Sequence, residues 1–228
     1  MGYRLHAGTY VDTDIFQPPK ALKQRKWLKS SMFDESKIAQ EMNNLIAARR
    51  FNEIIEEAER VIEDYPDSYI GRWWIARAYT LRGDTEAALD WFMEAMKKAE
   101  DELQESKISS SIANVYNIRK NWLESLNYTD IALELNPDNV VAVIARSIAL
   151  MATGDRKGAN KLLDQNKGLI KEDYQKACVA AVKRDKQGML EYLSKAIKEN
   201  PHNRVTVLYD PDFSLYTRDP EFRALLKG

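Results

Sequence analysis

The sequence predicts an all-α protein built from about five repeated helix-turn-helix units. The first observation is a shared helix ending: runs of helix-forming residues stop at Pro66, Pro137 and Pro201, and a proline cannot continue a helix. The second is a shared offset of 71 residues, which separates three unrelated pairs of positions: Pro66 and Pro137, Gly83 and Gly154, and Ala88 and Ala159. The third is a composition typical of folded proteins, with 44% hydrophobic and 30% charged residues.

Two units of about 34 residues explain most of this offset and leave about three residues over. The units are predicted at 35–68, 69–105, 106–139, 140–169 and 170–203, within an array that spans 34–204. Each unit has a predicted internal turn: Arg49-Arg50, Gly83-Asp84, Lys120-Asn121, Gly154-Asp155 and Arg184-Asp185. The surplus lies in 97–106, where a helix can run almost one turn longer. The last unit spacing is shorter than 34 residues, and the missing residues lie in 164–173. There we expect Gly168 to end a helix as its C′ residue.

Capping and small residues support two antiparallel helices in each unit. Asp84, Asp155 and Asp185 are predicted N-caps of the second helices, and Asn121 is predicted to form a capping pattern with Glu124. Small side chains, which close helix crossings require, recur at matching positions: Ala76, Ala113, Ser147 and Ala177 in the first helices, and Ala88, Ser125 and Ala159 in the second.

The two flanks differ from the units. Residues 1–33 predict an N-terminal arm over 1–17 followed by a short basic helix over 18–32, whose five cations we interpret as a solvated face. Residues 205–228 predict a capping segment, in which Asp219 caps a last helix that has Pro220 at its first position. Its apolar side chains are expected to cover the open end of the array: Phe213, Leu215, Phe222, Leu225 and Leu226.

The units resemble the tetratricopeptide repeat (TPR) family. The stretch "IARAYTLRGDTEAALDWFMEAM" at 75–96 carries that family's small residues, Tyr, Gly-Asp turn and aromatic residue at its spacing. The terminal units match less well, with Met42, Ile54 and Ala180 at atypical positions. The resemblance implies a right-handed superhelix, an α-solenoid, whose first helices line a concave groove that binds extended peptides or partner helices.

That family geometry also implies which side chains line the groove. The five positions of each first helix that face it carry three cations, Arg77, Lys107 and Lys171, and no acid, although the chain has 35 Asp and Glu residues. We therefore expect the polar half of the groove to bind an extended, acidic segment, and an apolar half that includes Val141 to be covered. The candidate partner-binding residues are Asn43, Trp73, Arg77, Lys107, Asn114, Asn117, Ile144, Ile148, Met151 and Tyr174.

Two occupants of the apolar half are considered. The N-terminal arm carries apolar side chains and is long enough to cross several units, at about 3.3 Å per extended residue. The second candidate occupant is a helix of a partner protein. The alternative to an arm that packs on the groove is a disordered arm. A clamp for chaperone C-terminal tails is not expected, because its five positions read Ala39, Asn43, Trp74, Lys107 and Ser111, and only two of the five match.

Other classes of function are disfavoured. The net charge of −1 argues against nucleic acid as a partner. No phosphate-binding loop is present, His6 and His202 are far apart in the sequence, and Cys178 is interpreted as a small packing residue. We expect no enzyme activity, cofactor or metal. A single cysteine, no signal-peptide core and no long apolar run predict a cytoplasmic protein without a membrane span.

The sequence thus predicts a protein-protein interaction scaffold or adaptor. An RNA-binding helical array and a self-assembling structural protein are the alternatives. The sequence leaves the identity of the partner and the oligomeric state open.

Overall fold

The computed structural model describes residues 34–227, and the predicted arm and basic helix lie outside them. Five helices alternate with five others along the chain. The first helices are α1 Glu35–Ala47, α3 Ile70–Arg82, α5 Glu102–Ile118, α7 Val140–Ala152 and α9 Asp173–Val182. The second helices are α2 Phe51–Asp64, α4 Thr85–Met96, α6 Trp122–Leu135, α8 Arg156–Gln165 and α10 Lys186–Glu199. The chain then continues through α11 Asn203–Thr206, a 3₁₀ turn Pro211–Phe213 and α12 Pro220–Leu225.

Neighbouring helices pack in the order of the chain. Each first helix contacts its own second helix, and α2, α4 and α6 also contact the first helix of the following pair. In addition, α7 contacts both α5 and α9, so successive first helices lie side by side. The predicted fold class is therefore confirmed as an all-α helical solenoid made of stacked helix-turn-helix pairs.

The five helix pairs share one type of turn. A residue with φ between 58° and 96° follows each first helix: Arg49, Gly83, Lys120, Gly154 and Arg184. These are the five positions at which the sequence predicts a turn. At Gly83, the backbone N–H of Asp84 donates to the Tyr79 carbonyl at 3.0 Å, which ends the helix and reverses the chain.

The predicted caps are confirmed at the aspartates and are wrong at two other positions. Asp84, Asp155 and Asp185 each accept a hydrogen bond from the backbone N–H three residues later. Asn121 occupies the N-cap position of α6 but its side chain makes no capping hydrogen bond. Gly168 is not the C′ residue of α8, because that helix already ends at Gln165 and the Asn166 amide donates to the Leu162 carbonyl.

The small side chains are buried where helices cross. All seven predicted positions, from Ala76 to Ala177, are 0% exposed. The longest helix, α5 with 17 residues, begins at Glu102 inside the stretch predicted to hold the surplus. The shortest first helix, α9, has 10 residues. None of the helices within 34–227 is long and apolar enough to cross a membrane.

The C-terminal segment takes a route that the sequence does not predict. As expected, α12 packs on α10 with Phe222 buried, but Leu215 is 69% exposed and so does not have the predicted covering role. The preceding residues, 203–213, extend away from this end: α11 contacts α1, and the 3₁₀ turn contacts α5 and α9. We call residues 203–213 the strap, because they cross the face that the first helices line.

Candidate functional site

The strap and the first helices together enclose two cavities. The larger has a volume of about 530 Å³ and the smaller about 90 Å³. Four residues line both: Arg77 and Asn114 from the first helices, and Thr206 and Asp210 from the strap. The two cavities therefore meet at the point where the strap passes the cation on α3.

Arg77 is the central charged group of this region. Its guanidinium carbon lies 5.6 Å from the ring centre of Trp73 and 5.8 Å from that of Trp74, which are favourable cation–π distances. Burial lowers the pKa of Arg77, and the nearby Tyr174 and Asp210 oppose this shift. The Nε atom is buried and has no hydrogen-bond partner among residues 34–227. A buried N–H of this kind is an unused donor.

Asp210 brings a carboxylate from the strap into the same region. It accepts a hydrogen bond from the Tyr174 hydroxyl at 2.9 Å and one from the backbone N–H of Asp212 at 3.0 Å. Burial raises the pKa of Asp210, while these hydrogen bonds and the charge of Arg77 act in the opposite direction. The sequence predicts that Arg77 binds an acidic partner segment. In the structure, Asp210 of the same chain already places a carboxylate near Arg77.

The strap is anchored in the core at Val207 and Phe213, and residues 208–211 between them are less buried. Val207 and Phe213 are fully buried, and the Phe213 ring stacks on Phe222 with centres 5.9 Å apart. Between them, the Tyr209 ring meets Phe51 of α2 edge-on, with centres 6.1 Å apart.

One group of side chains could hold a metal ion. The Cys178 sulfur and one carboxylate oxygen each of Asp210 and Asp212 lie within 4.8 Å of one another. Burial raises the pKa of the Cys178 thiol well above its ordinary value, and the thiol hydrogen-bonds to Asp212. Because the three side chains are already bonded to one another or to Tyr174, the cluster is internally satisfied.

The structure gathers half of the predicted site residues around the larger cavity: Asn43, Arg77, Asn114, Ile144 and Tyr174. Trp73 lines the smaller cavity, and its indole N–H donates to the Ser111 hydroxyl at 3.0 Å. The other predicted residues line neither cavity. The Lys107 ammonium donates to the Tyr69 hydroxyl at 3.0 Å, and the buried Asn117 amide donates to the Ala145 carbonyl at 2.9 Å. Ile148 and Met151 are half-buried against the hydrophobic core.

The apolar half of the groove is therefore not an open patch. Ile144 is only 6% exposed and the Tyr174 ring lies 5.9 Å from Phe213, whereas Val141 remains 45% exposed. Within the described residues, the strap covers the Tyr174 part of this surface through Phe213. The prediction that the N-terminal arm covers it concerns residues outside the described part of the chain.

No protein-family model and no curated protein matches the chain. Among solved structures, one match is the crystal structure of YrrB, described as a TPR protein with an unusual peptide-binding site. It is 18% identical over 76% of this chain and 90% of its own, with a TM-score of 0.44. The stacked helix pairs, with the shared spacing of their turns and small residues, show a helical repeat fold of the kind that the sequence resemblance implies.

Proposed function

We propose that the protein is a non-enzymatic interaction scaffold that binds an extended segment of a partner protein in the larger cavity, with Arg77 as the anchor. The observation that carries this proposal is the buried Nε–H of Arg77, which has no acceptor among the described residues and belongs to a side chain that lines the cavity. A carboxylate or carbonyl oxygen of a partner would satisfy it with a charge-assisted hydrogen bond.

The chemistry of the lining favours an extended segment over a partner helix. An extended chain presents free backbone N–H and C=O groups, and the side-chain amides of Asn43 and Asn114 can both donate and accept. A helix already bonds its own backbone groups. The cavity volume of about 530 Å³ also lies within the usual range for ligand sites, roughly 300–1,000 Å³.

The acidic character expected of the partner is confined to its contact with Arg77. The lining also contains carboxylates, among them Glu172 and Glu199, so a uniformly acidic segment would be repelled away from the anchor. The same carboxylates argue against an RNA backbone as the ligand. Lys107 stands at a chaperone-clamp position and is bonded to Tyr69, which supports excluding that type of clamp.

A binding role is favoured over catalysis by the state of Cys178. A nucleophilic cysteine needs a thiolate, and burial raises the pKa of this thiol. Self-assembly through the open end of the array is disfavoured, because Phe222 and α12 cover α10.

Replacing Arg77 with glutamine tests the proposal. Peptides would first be selected from a displayed random library on the full-length protein, and their affinities measured by fluorescence anisotropy. We expect selected peptides to share an Asp or Glu and to bind Arg77→Gln about tenfold more weakly, because a charge-assisted hydrogen bond is lost.

The matched control is Arg82→Gln, since Arg82 is an exposed cation of the same helix that lies over Tyr79. This control should bind the peptides as the unchanged protein does. Equal affinity of Arg77→Gln and the unchanged protein, or a selection that enriches no peptide, would refute the proposal.

A further inference from the structure

The strap forms one wall of the proposed site, since Asp210 lines both cavities beside Arg77, and we infer that its middle part, residues 208–211, is an internal ligand that a partner with an aromatic–acidic sequence must displace to reach Arg77. This inference rests on the proposed function and adds the regulation of that site and the chemistry of its partner. The sequence of these residues is Leu-Tyr-Asp-Pro.

The strap is attached on both sides of its middle part, so residues 208–211 can leave while the rest of the strap stays in place. Val207 and Phe213 are 0% exposed and hold both ends of this middle part in the core. Between them, Leu208 is 38% exposed, and Tyr209 and Asp210 are partly buried. The side chains of the middle part are held by the ring contact of Tyr209 with Phe51 and by the two hydrogen bonds that Asp210 accepts, from the Tyr174 hydroxyl and the Asp212 backbone N–H. Breaking these contacts does not require either end to leave the core.

Asp210 leaves the Nε–H of Arg77 without an acceptor, so a partner that bonds to this group can bind more strongly than the strap does. Asp210 is close enough to Arg77 for their charges to interact, yet it accepts no hydrogen bond from the Nε–H. Its own carboxylate is directed by Tyr174 and by the backbone of Asp212. A carboxylate on a separate chain is free of these constraints and can bond to Arg77 directly.

The same contacts define what the partner carries. An aromatic side chain would take the place of Tyr209 against Phe51, and an acidic side chain next to it would take the place of Asp210 between Arg77 and Tyr174. Because Tyr209 and Asp210 are adjacent in the sequence, the aromatic and acidic residues of the partner should also be adjacent. A partner segment with an aromatic residue followed directly by Asp or Glu therefore fits the site.

The test uses the full-length protein and a fluorescein-labelled peptide, VLYDPDF, that copies residues 207–213. Replacing Asp210 with asparagine in the protein keeps the size of the side chain and removes the internal charge. We expect Asp210→Asn to bind the peptide about tenfold more tightly than the unchanged protein. The peptide VLYNPDF should lose most of this gain, and the surface variant Asp138→Asn should bind as the unchanged protein does.

A second variant shows whether the tighter binding of Asp210→Asn comes from a released strap or from a local change at residue 210. Tyr209→Ala removes the contact with Phe51 and leaves the Asp210 carboxylate in place, so it should also bind the peptide more tightly. If neither variant binds VLYDPDF more tightly while library-selected acidic peptides still require Arg77, the inference is overturned and the proposed function stands. If no acidic peptide binds the unchanged protein or either variant, the proposed function itself fails.

Discussion

Replacing Phe213 with alanine is expected to lower the free energy of unfolding by about 3–5 kcal/mol, the usual cost of deleting a large buried aromatic side chain. Phe213 is 0% exposed and its ring contacts the rings of Phe222 and Tyr174, each with centres 5.9 Å apart. It thus joins the capping helix α12 to α9 and fixes one end of the strap. Urea unfolding followed by circular dichroism measures the change.

Leu215→Ala is the matched control, because it removes a large apolar side chain two residues further along the same segment. Leu215 is 69% exposed, and surface substitutions usually change stability by less than about 0.5 kcal/mol. The sequence alone gives both residues the same capping role. Similar losses for the two variants would contradict the described position of Phe213.

Replacing Asp212 with asparagine is expected to raise the free energy of unfolding near pH 7. Asp212 is only 8% exposed, and burial together with the charge of Asp210 raises its pKa well above the ordinary value. Ionising this carboxyl in the folded protein is therefore unfavourable. Asparagine keeps a similar shape and an oxygen that can accept from the Cys178 thiol, and it never ionises.

The sign of the pH dependence follows from the raised pKa. The folded protein holds the Asp212 proton more tightly than the unfolded chain does, so stability falls as the pH rises from the ordinary aspartate pKa of about 4 through the raised value. The gain from Asp212→Asn should therefore be present near pH 7 and vanish near pH 4. Denaturant unfolding at both pH values measures it, with Asp138→Asn as the control for losing a surface carboxylate. A gain of equal size at both pH values would contradict this explanation.

The sequence predicts the helix pairs well because their signals are local. The signals are a turn residue with positive φ between the helices of each pair, an aspartate at three of the second-helix starts and a small residue at seven of the crossing positions. Asn121 shows the limit of such signals, since its side chain is free to point elsewhere and makes no cap.

The strap was not predicted because its position depends on contacts far apart in the sequence. Val205, Val207 and Phe213 follow no helical period, so a pattern cannot tell which surface buries them. One signal could have indicated it. The groove positions carry cations and no acid, whereas the stretch "YDPDF" after the last unit carries two acids, so opposite charges favoured their contact.

Only part of the candidate site could be predicted from the sequence. Family geometry places a residue on the groove face, but it does not say whether the side chain is already used inside the protein. Lys107 and Asn117 are hydrogen-bonded to Tyr69 and Ala145, whereas Arg77 keeps a buried donor that has no partner among residues 34–227. Asp210 and the rest of the strap lie outside the repeats and could not be found by that geometry.

The central claim is that the strap crosses the face lined by the first helices, and its most direct test is a nuclear Overhauser measurement between Phe51 and Tyr209. These rings lie near opposite ends of the described chain, and the structure places their centres 6.1 Å apart. In a sample with only Phe and Tyr side chains protonated, we expect a strong cross-peak between the two rings, assigned by its loss in Tyr209→Leu. A Tyr209 ring that gives no cross-peak to Phe51 in the folded, full-length protein would contradict the claim.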